Sequence, residues 1–468
     1  MTTISLMNQV TVEYVDECFG NSSSLRRAAA EVVLPHTYSK SYGNLMLARP
    51  LFVDHDEITG FADDLTALFT LLTSLPARCF GGDLRRYSAA LGMDERLADL
   101  MRLGATGHPE LYGRADAYHD GSSFKLLEFN VGSELGGIDA AQVNRAFLNV
   151  ASFRDFRDHH QLSYIDTAAV LAVALLTAAQ RVTSSGEPVV ALLEGPGGLT
   201  EHEHVFAAIQ EAMGGHGIDL LLGEIDQVSF RNGKLMLDGV PVDVVLRYFA
   251  AGQLLDHPAS RDTLDSLMRA HHTGGTVLFT PLESALFASK SCLALVHDPR
   301  LREEFSVAER ELVDRIVPWT RVVGAASSAR PSAVSAADRN ELVDACRAHR
   351  DELILKPGVG YGGVGAVLGR EVSDHEWSEI LIAVKDQDYV VQRIVSPASE
   401  PVCNPDNGAL EDWRANWGIF ATQAGYAGAF VRALQIDDGS VISYSNAGTR
   451  GACVYSYPPR TGAERNPK

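Results

Sequence analysis

Between residues 189 and 248 the sequence alternates short apolar runs with loop and helix signals in an order few folds can accept. The run 189–193 is continuously apolar, Glu194-Gly195-Pro196-Gly197-Gly198 follows, and a helical period covers about 201–213. Apolar runs return at 218–222 and 242–248, with an Asn232-Gly233 turn signal between them. Strand, loop, helix, strand is the grammar of an open α/β sheet, so this stretch predicts a small Rossmann-like layer. The turn-forming Thr183-Ser184-Ser185-Gly186-Glu187-Pro188 marks where it begins.

Helical periods precede this layer at 54–75, 89–103, 138–156 and 165–181, and others follow it at 286–296, 302–316 and 337–347, with a looser stretch at 325–336. Strand-like runs occur at 114–118 and 124–129, separated by a polar turn at 119–123. More crowd the last quarter, at 353–355, 365–368, 389–393, 417–422, 428–434 and 441–443. The 468 residues suffice for two to four modules. The expected fold class is α+β / α/β, divided as 1–165, 166–285 and 286–468.

Sixty acidic against forty basic residues give a net charge of −20. Such a field repels phosphate backbones and anionic membranes, so neither nucleic acid nor a membrane is expected as a partner. The longest apolar run, 168–179, is too short to cross a bilayer. The amino-terminal twenty residues lack a basic leader and an apolar core, and a cytoplasmic location is expected. Six cysteines without a C-x-x-C pair argue against a zinc site or a disulfide framework.

Two segments carry chemistry. In Glu352-Leu353-Ile354-Leu355-Lys356-Pro357-Gly358-Val359-Gly360-Tyr361-Gly362-Gly363-Val364-Gly365 an apolar strand ends in a lysine and enters five glycines within eight residues. Backbone amides there can approach an anion while the ammonium supplies charge, or the stretch is a flexible hairpin. In the early hairpin, Arg114 and Asp116 share one face of their strand and Glu128 and Asn130 share one face of theirs. Three oxygen donors suit Mg2+, and a planar arginine suits a phosphoryl group. The plain alternative is a solvated hairpin face. Gly136 and Gly137, in the loop after Asn130, open toward a helix where an anion would sit. Gly197 and Gly198 could bind a substrate carboxylate or merely turn the chain, and Arg247 could neutralise a carboxylate or pair with Asp243.

Taken together these motifs resemble the ATP-grasp ligases, in the circularly permuted branch that contains glutathionylspermidine synthase. The family's Arg-x-Asp and Glu-x-Asn elements are matched by Arg114, Asp116, Glu128 and Asn130, early in the chain. Its lysine and glycine lid are matched late, around Lys356, which is the permuted order. The late Ala-Gly-x-x-x-Arg segment is matched at 427–432, Asp-Val-Val-x-Arg at 243–247, and the first nucleotide lysine at Lys290. One departure stands at the hinge, where Gln392 is followed by Arg393 rather than glutamate.

This resemblance implies an ATP-grasp fold in circularly permuted order with a Rossmann-like substrate layer. It implies ATP and Mg2+ as cofactors and amide formation from a carboxylate and an amine through an acyl phosphate. The implied nucleotide residues are Lys290, Lys356, Gly358, Gly360, Gly362, Gly363, Gly365 and Gln392, and the implied metal ligands are Asp116, Glu128 and Asn130. Arg114 and Arg432 are the implied catalytic residues, and Gly136, Gly137, Gly197, Gly198 and Arg247 the substrate residues. Small-molecule or peptide acids and amines, including amino acids and polyamines, are the expected partners, and a homodimer is left open. Acylation of a carrier-protein thiol, or a nucleotide-binding protein without turnover, are the alternatives.

Overall fold

In the computed structural model the described residues are 8–459, apart from 21–22, 44, 104, 106, 108, 184–185, 256, 258–259, 324–335, 361–363 and 386. Gly362, Gly363, all but the last residue of the looser stretch at 325–336 and part of the 183–188 turn therefore lie outside them. The described chain is a mixed α and β structure with five sheets.

The 189–248 prediction is met by a parallel sheet in the order Val277–Phe279, Val244–Arg247, Val190–Glu194, Leu221–Glu224. Its strands are apolar on both faces because both are covered. Val190 and Leu192 pack with helix Thr167–Ala179, whereas Ala191 and Leu193 join the larger core on the other side. The Asn232-Gly233 turn, both residues at positive φ, joins Val228–Arg231 to Lys234–Leu237 in a small antiparallel sheet, as a two-residue hairpin requires.

A six-stranded antiparallel sheet positions the site. The strands Tyr112–His119 and Phe124–Val131 are continued by Leu410–Thr422, Gly425–Gln435 and Arg450–Ala452, and Ser399–Cys403 pairs along Leu410–Thr422. Leu51–Asp54 also pairs in parallel with Val454–Tyr457. The stretch 286–468 is thus split: its last sixty or so described residues share sheets with the amino-terminal third, while Thr320–Val322, Leu353–Pro357, Val367–Leu368 and Tyr389–Arg393 form a separate antiparallel sheet.

Helix His55–Phe80 is started by Asp54, whose carboxylate accepts the Asp56 and Glu57 N–H groups, and ended by Gly81 at φ 66°. By length and composition this helix is apolar enough to cross a bilayer. Its apolar face instead packs in the main core, through Ile58, Phe61, Leu65, Leu68 and Leu72.

Candidate active site

The early hairpin closes on Asp120, whose Oδ1 accepts the N–H groups of Ser122 and Ser123 at 2.8 and 2.9 Å. Pairing sets Arg114 opposite Asn130 and Asp116 opposite Glu128. The four side chains therefore occupy two adjacent rungs of one face. A bulge follows Asp116, a device that re-aims side chains beside sites. On the other flank Gly418 lies opposite Asp116, and Asn416 opposite Arg432.

Asp116 is the hub of this face. Its Oδ1 accepts from Arg114 Nε at 2.9 Å and its Oδ2 from Arg432 Nη2 at 2.5 Å. Burial would raise its carboxyl, but the two guanidinium groups outweigh burial and hold it well below the ordinary carboxylate range. Arg114 also donates to the Gly136 carbonyl oxygen at 3.0 Å. The guanidinium carbons of Arg114 and Arg432 lie 5.2 and 5.6 Å from the centroid of the Phe430 ring. That ring fits only because Gly418 and Gly137 lack side chains: a Cβ at either would come within 2.7 or 2.6 Å of it.

The lysines arrive from outside this sheet, one from a helix start and one from the separate antiparallel sheet. The helical period at 286–296 is interrupted at Ser289, whose hydroxyl accepts the Ser291 N–H and starts helix Lys290–Leu295. Lys290 thereby stands at a helix start, with Nζ 2.9 Å from Glu128 Oε2 and 3.2 Å from the Gly360 carbonyl oxygen. On Leu353–Pro357, Leu353 and Leu355 enter a core while Ile354 and Lys356 line the cleft. Lys356 Nζ donates to Gln392 Oε1 at 2.7 Å, and Gln392 Nε2 donates to Thr320 Oγ1 at 3.1 Å. Burial pushes the Lys356 ammonium down to about 8, Lys290 adds to this, and Glu128 opposes it.

The cleft between the two sheets has a volume of about 1270 Å³, including space open to solvent. Among the described residues, seven cationic side chains line it (Arg114, Lys290, Lys356, Arg370, Arg393, Arg414 and Arg432) against two acids, Asp116 and Glu128. This local excess of positive charge, inside a chain of net charge −20, suits an anion. Ile354, Leu368, Ile394 and Val395 supply an apolar wall.

The structure departs from the sequence-based expectations at several residues. Gly358 does not offer its amide to a ligand, because its N–H donates to the Asp388 carbonyl oxygen at 2.8 Å. Gly360 lines the cleft; Gly365 turns at φ 76° against Pro357. Gly136 and Gly137 support Arg114 and Phe430. Gly197, Gly198 and Arg247 are not among the residues lining the cleft. The Glu224 carboxylate already accepts the N–H groups of Gly197 and Leu199 at 2.9 and 3.1 Å, so the chain fills its own anion position. Gly198 donates to the Gly195 carbonyl oxygen. Arg247 is fully buried and pairs with Glu134 at 2.6 Å, not with Asp243, which takes Lys234.

The donor set fits a divalent cation at Glu128 and Asn130, whose hard oxygens stand on one face beside the lysines; Mg2+ needs few protein ligands when phosphates supply the rest. Asp116 differs from its expected place in that set, because both its oxygens are taken by arginine. Contributors unseen in the sequence include Arg370, Arg414, Asn416, Gly418 and Phe430. The alternation of Trp413, Ala415 and Trp417 with Arg414 and Asn416 is the period-two signal that would have extended the strand expected at 417–422 back to them.

The sequence matches no protein-family model and no curated protein. Among solved structures, the fold is similar to that of a glutathione synthetase-like effector (GSS30) from Globodera pallida in its apo form. The TM-score is 0.56 at 13% identity, over 98% of this chain and 99% of that one. A weaker likeness, TM-score 0.42 at 16% identity, is to a putative gamma-glutamylcysteine synthetase from Methylobacillus flagellatus KT, over 86% of this chain and 89% of that one.

Proposed function

We propose that the protein is an ATP-dependent carboxylate–amine ligase of the ATP-grasp type in circularly permuted order, forming an amide with release of ADP and phosphate. The observation that carries this reading is the meeting of Glu128 with Lys290 and Lys356 in one cationic cleft, from segments far apart in the chain. A fold shared with a glutathione synthetase-like effector is in keeping with it.

An acid and an amine do not condense in water because hydroxide is a poor leaving group; phosphorylating the acid replaces it with phosphate. Lys290 and Lys356 would hold the phosphates of the nucleotide, and Gln392 keeps Lys356 aimed. Glu128 and Asn130 would hold Mg2+, which supplies charge neutralisation at the phosphates when bound. Arg114 and Arg432, fixed by Asp116 and Phe430, present guanidinium edges where negative charge builds on the transferred group. The test is a pairwise screen of acids and amines for substrate-dependent ADP, with mass spectrometry of the product. Formation of AMP instead would replace this reading with adenylation.

Lys356 gives a pH test. Its ammonium titrates at about 8 in the free protein, and a bound anion raises that value. Below about pH 8 the lysine is already charged, so affinity for a non-hydrolysable ATP analogue is flat in this respect; above it affinity falls, by up to about tenfold per pH unit. Lys356→Arg keeps its charge and flattens the profile. A flat titration of the unaltered protein would remove Lys356 from anion binding.

A further inference from the structure

Away from the cleft, and unused by the ligase reading, three ligand-bearing side chains converge where two helices meet. Glu13 comes from the middle of helix Gln9–Cys18, and His159 and His160 from the end of helix Arg154–His159. One ligand atom from each lies within 4.8 Å of the other two. His160 Nε2 is 3.3 Å from Glu13 Oε2, and the two imidazole rings meet edge to face with centroids 4.7 Å apart. The set contains no cysteine, so cysteine spacing does not reveal it.

Neighbouring residues of a helix point about 100° apart, so adjacent histidines converge only where the helix stops. It stops here. His160 leaves helical geometry at φ −91° and ψ 2°, and Gln161 turns left-handed at φ 52°. The Phe156 ring packs on the His160 imidazole at a centroid distance of 4.3 Å and holds it in place, with only 9% of that side chain exposed. The Glu13 side chain, 34% exposed, and the exposed His159 keep the cup open, so an ion can enter from water. An ion pair between the helices needs one imidazole. A second one turned onto the first adds repulsion when both are protonated, whereas two neutral rings and a carboxylate offer lone pairs to a single cation.

Two imidazoles and one carboxylate suit a borderline divalent ion rather than Mg2+ or Ca2+, which take oxygen. Zn2+ imposes no geometry of its own and accepts two histidines and a glutamate with water in the fourth place. At metal–ligand distances of about 2.1 Å, tetrahedral donors stand about 3.4 Å apart. The three atoms therefore need to close by no more than about 1.4 Å, which the solvent-facing Glu13 and His159 side chains can supply by rotation. We propose that Glu13, His159 and His160 form a Zn2+ site with one position open to water, which staples helix Gln9–Cys18 to helix Arg154–His159.

Isothermal titration calorimetry of the full chain, stripped with EDTA and titrated with Zn2+ under excess Mg2+ to occupy oxygen-only sites, tests it. One equivalent of Zn2+ binds, and the thermal midpoint rises with it. Glu13→Gln and His159→Gln each weaken that binding by at least about tenfold, since loss of even an outer partner of a metal site costs as much, and each removes the rise in midpoint. Both side chains face solvent, so the metal-free midpoints stay close to that of the unaltered protein. Should Glu13→Gln fail to fold, Glu13→Asp keeps the charge, shortens the reach and weakens Zn2+ binding in the same direction. Absence of Zn2+ binding, or affinity undiminished in either the Glu13 or the His159 variant, which marks an adventitious ion only, would overturn the site. Binding that leaves the midpoint of the unaltered protein unmoved would overturn the staple.

Discussion

Asp116→Ala is expected to destabilise the protein by about 3–5 kcal/mol, because it leaves two buried guanidinium groups without their shared counter-ion. The side chains concerned are 6% exposed for Asp116, 13% for Arg114 and 11% for Arg432, so water screens the repulsion poorly. The thermal midpoint falls, and added sulfate, which can take the place of the missing carboxylate, restores part of it. Mild acid does not imitate the substitution. The folded-state value of Asp116 lies well below the ordinary carboxylate range, so its contribution is complete above the unfolded value and is lost only as pH falls through the depressed one. A chemical-denaturation loss below about 1 kcal/mol would show that the arginines are solvated after all.

The same hub explains what could and could not be read from the chain. The hairpin was legible because its strands alternate and its turn carries Asp120, Gly121 and serines; the parallel layer was legible because its strands are apolar on both faces. Lys356, Glu128 and Asn130 stood out by residue type and neighbours, whereas Lys290 entered only through the family resemblance. That Asp116 would serve two arginines depends on Arg432 reaching it from a strand three hundred residues later, and no local pattern records that register. The strand expected at 417–422 stops short of 410–416 because Arg414 and Asn416, which line the cleft, break the continuous apolar run and leave only the alternation with Trp413 and Ala415 to mark the strand. Gly197, Gly198 and Arg247 misled for the converse reason. Their natural counter-charges, Glu224 and Glu134, are supplied from within the chain, and a glycine loop that binds a neighbour's carboxylate looks the same in sequence as one that awaits a ligand.

With a productive acid and amine in hand, Arg114→Ala is expected to lower the rate of ADP formation by about 100- to 1000-fold, the cost of removing one charged donor from developing negative charge. Three contacts already fix this guanidinium: Asp116 Oδ1, the Gly136 carbonyl oxygen and the face of Phe430. An ammonium cannot make all three and still present a donor to the cleft, so Arg114→Lys behaves like Arg114→Ala despite keeping the charge. Stability responds differently from the Asp116 case, because Asp116 keeps Arg432 as a partner and no cation is orphaned. The signature is therefore a fall in kcat with a nearly unchanged KM for nucleotide and a thermal midpoint far closer to that of the unaltered protein than Asp116→Ala reaches. Full turnover in Arg114→Lys would show that any positive charge suffices there, and would separate the planar clamp built by Asp116, Gly137, Gly418 and Phe430 from the chemistry.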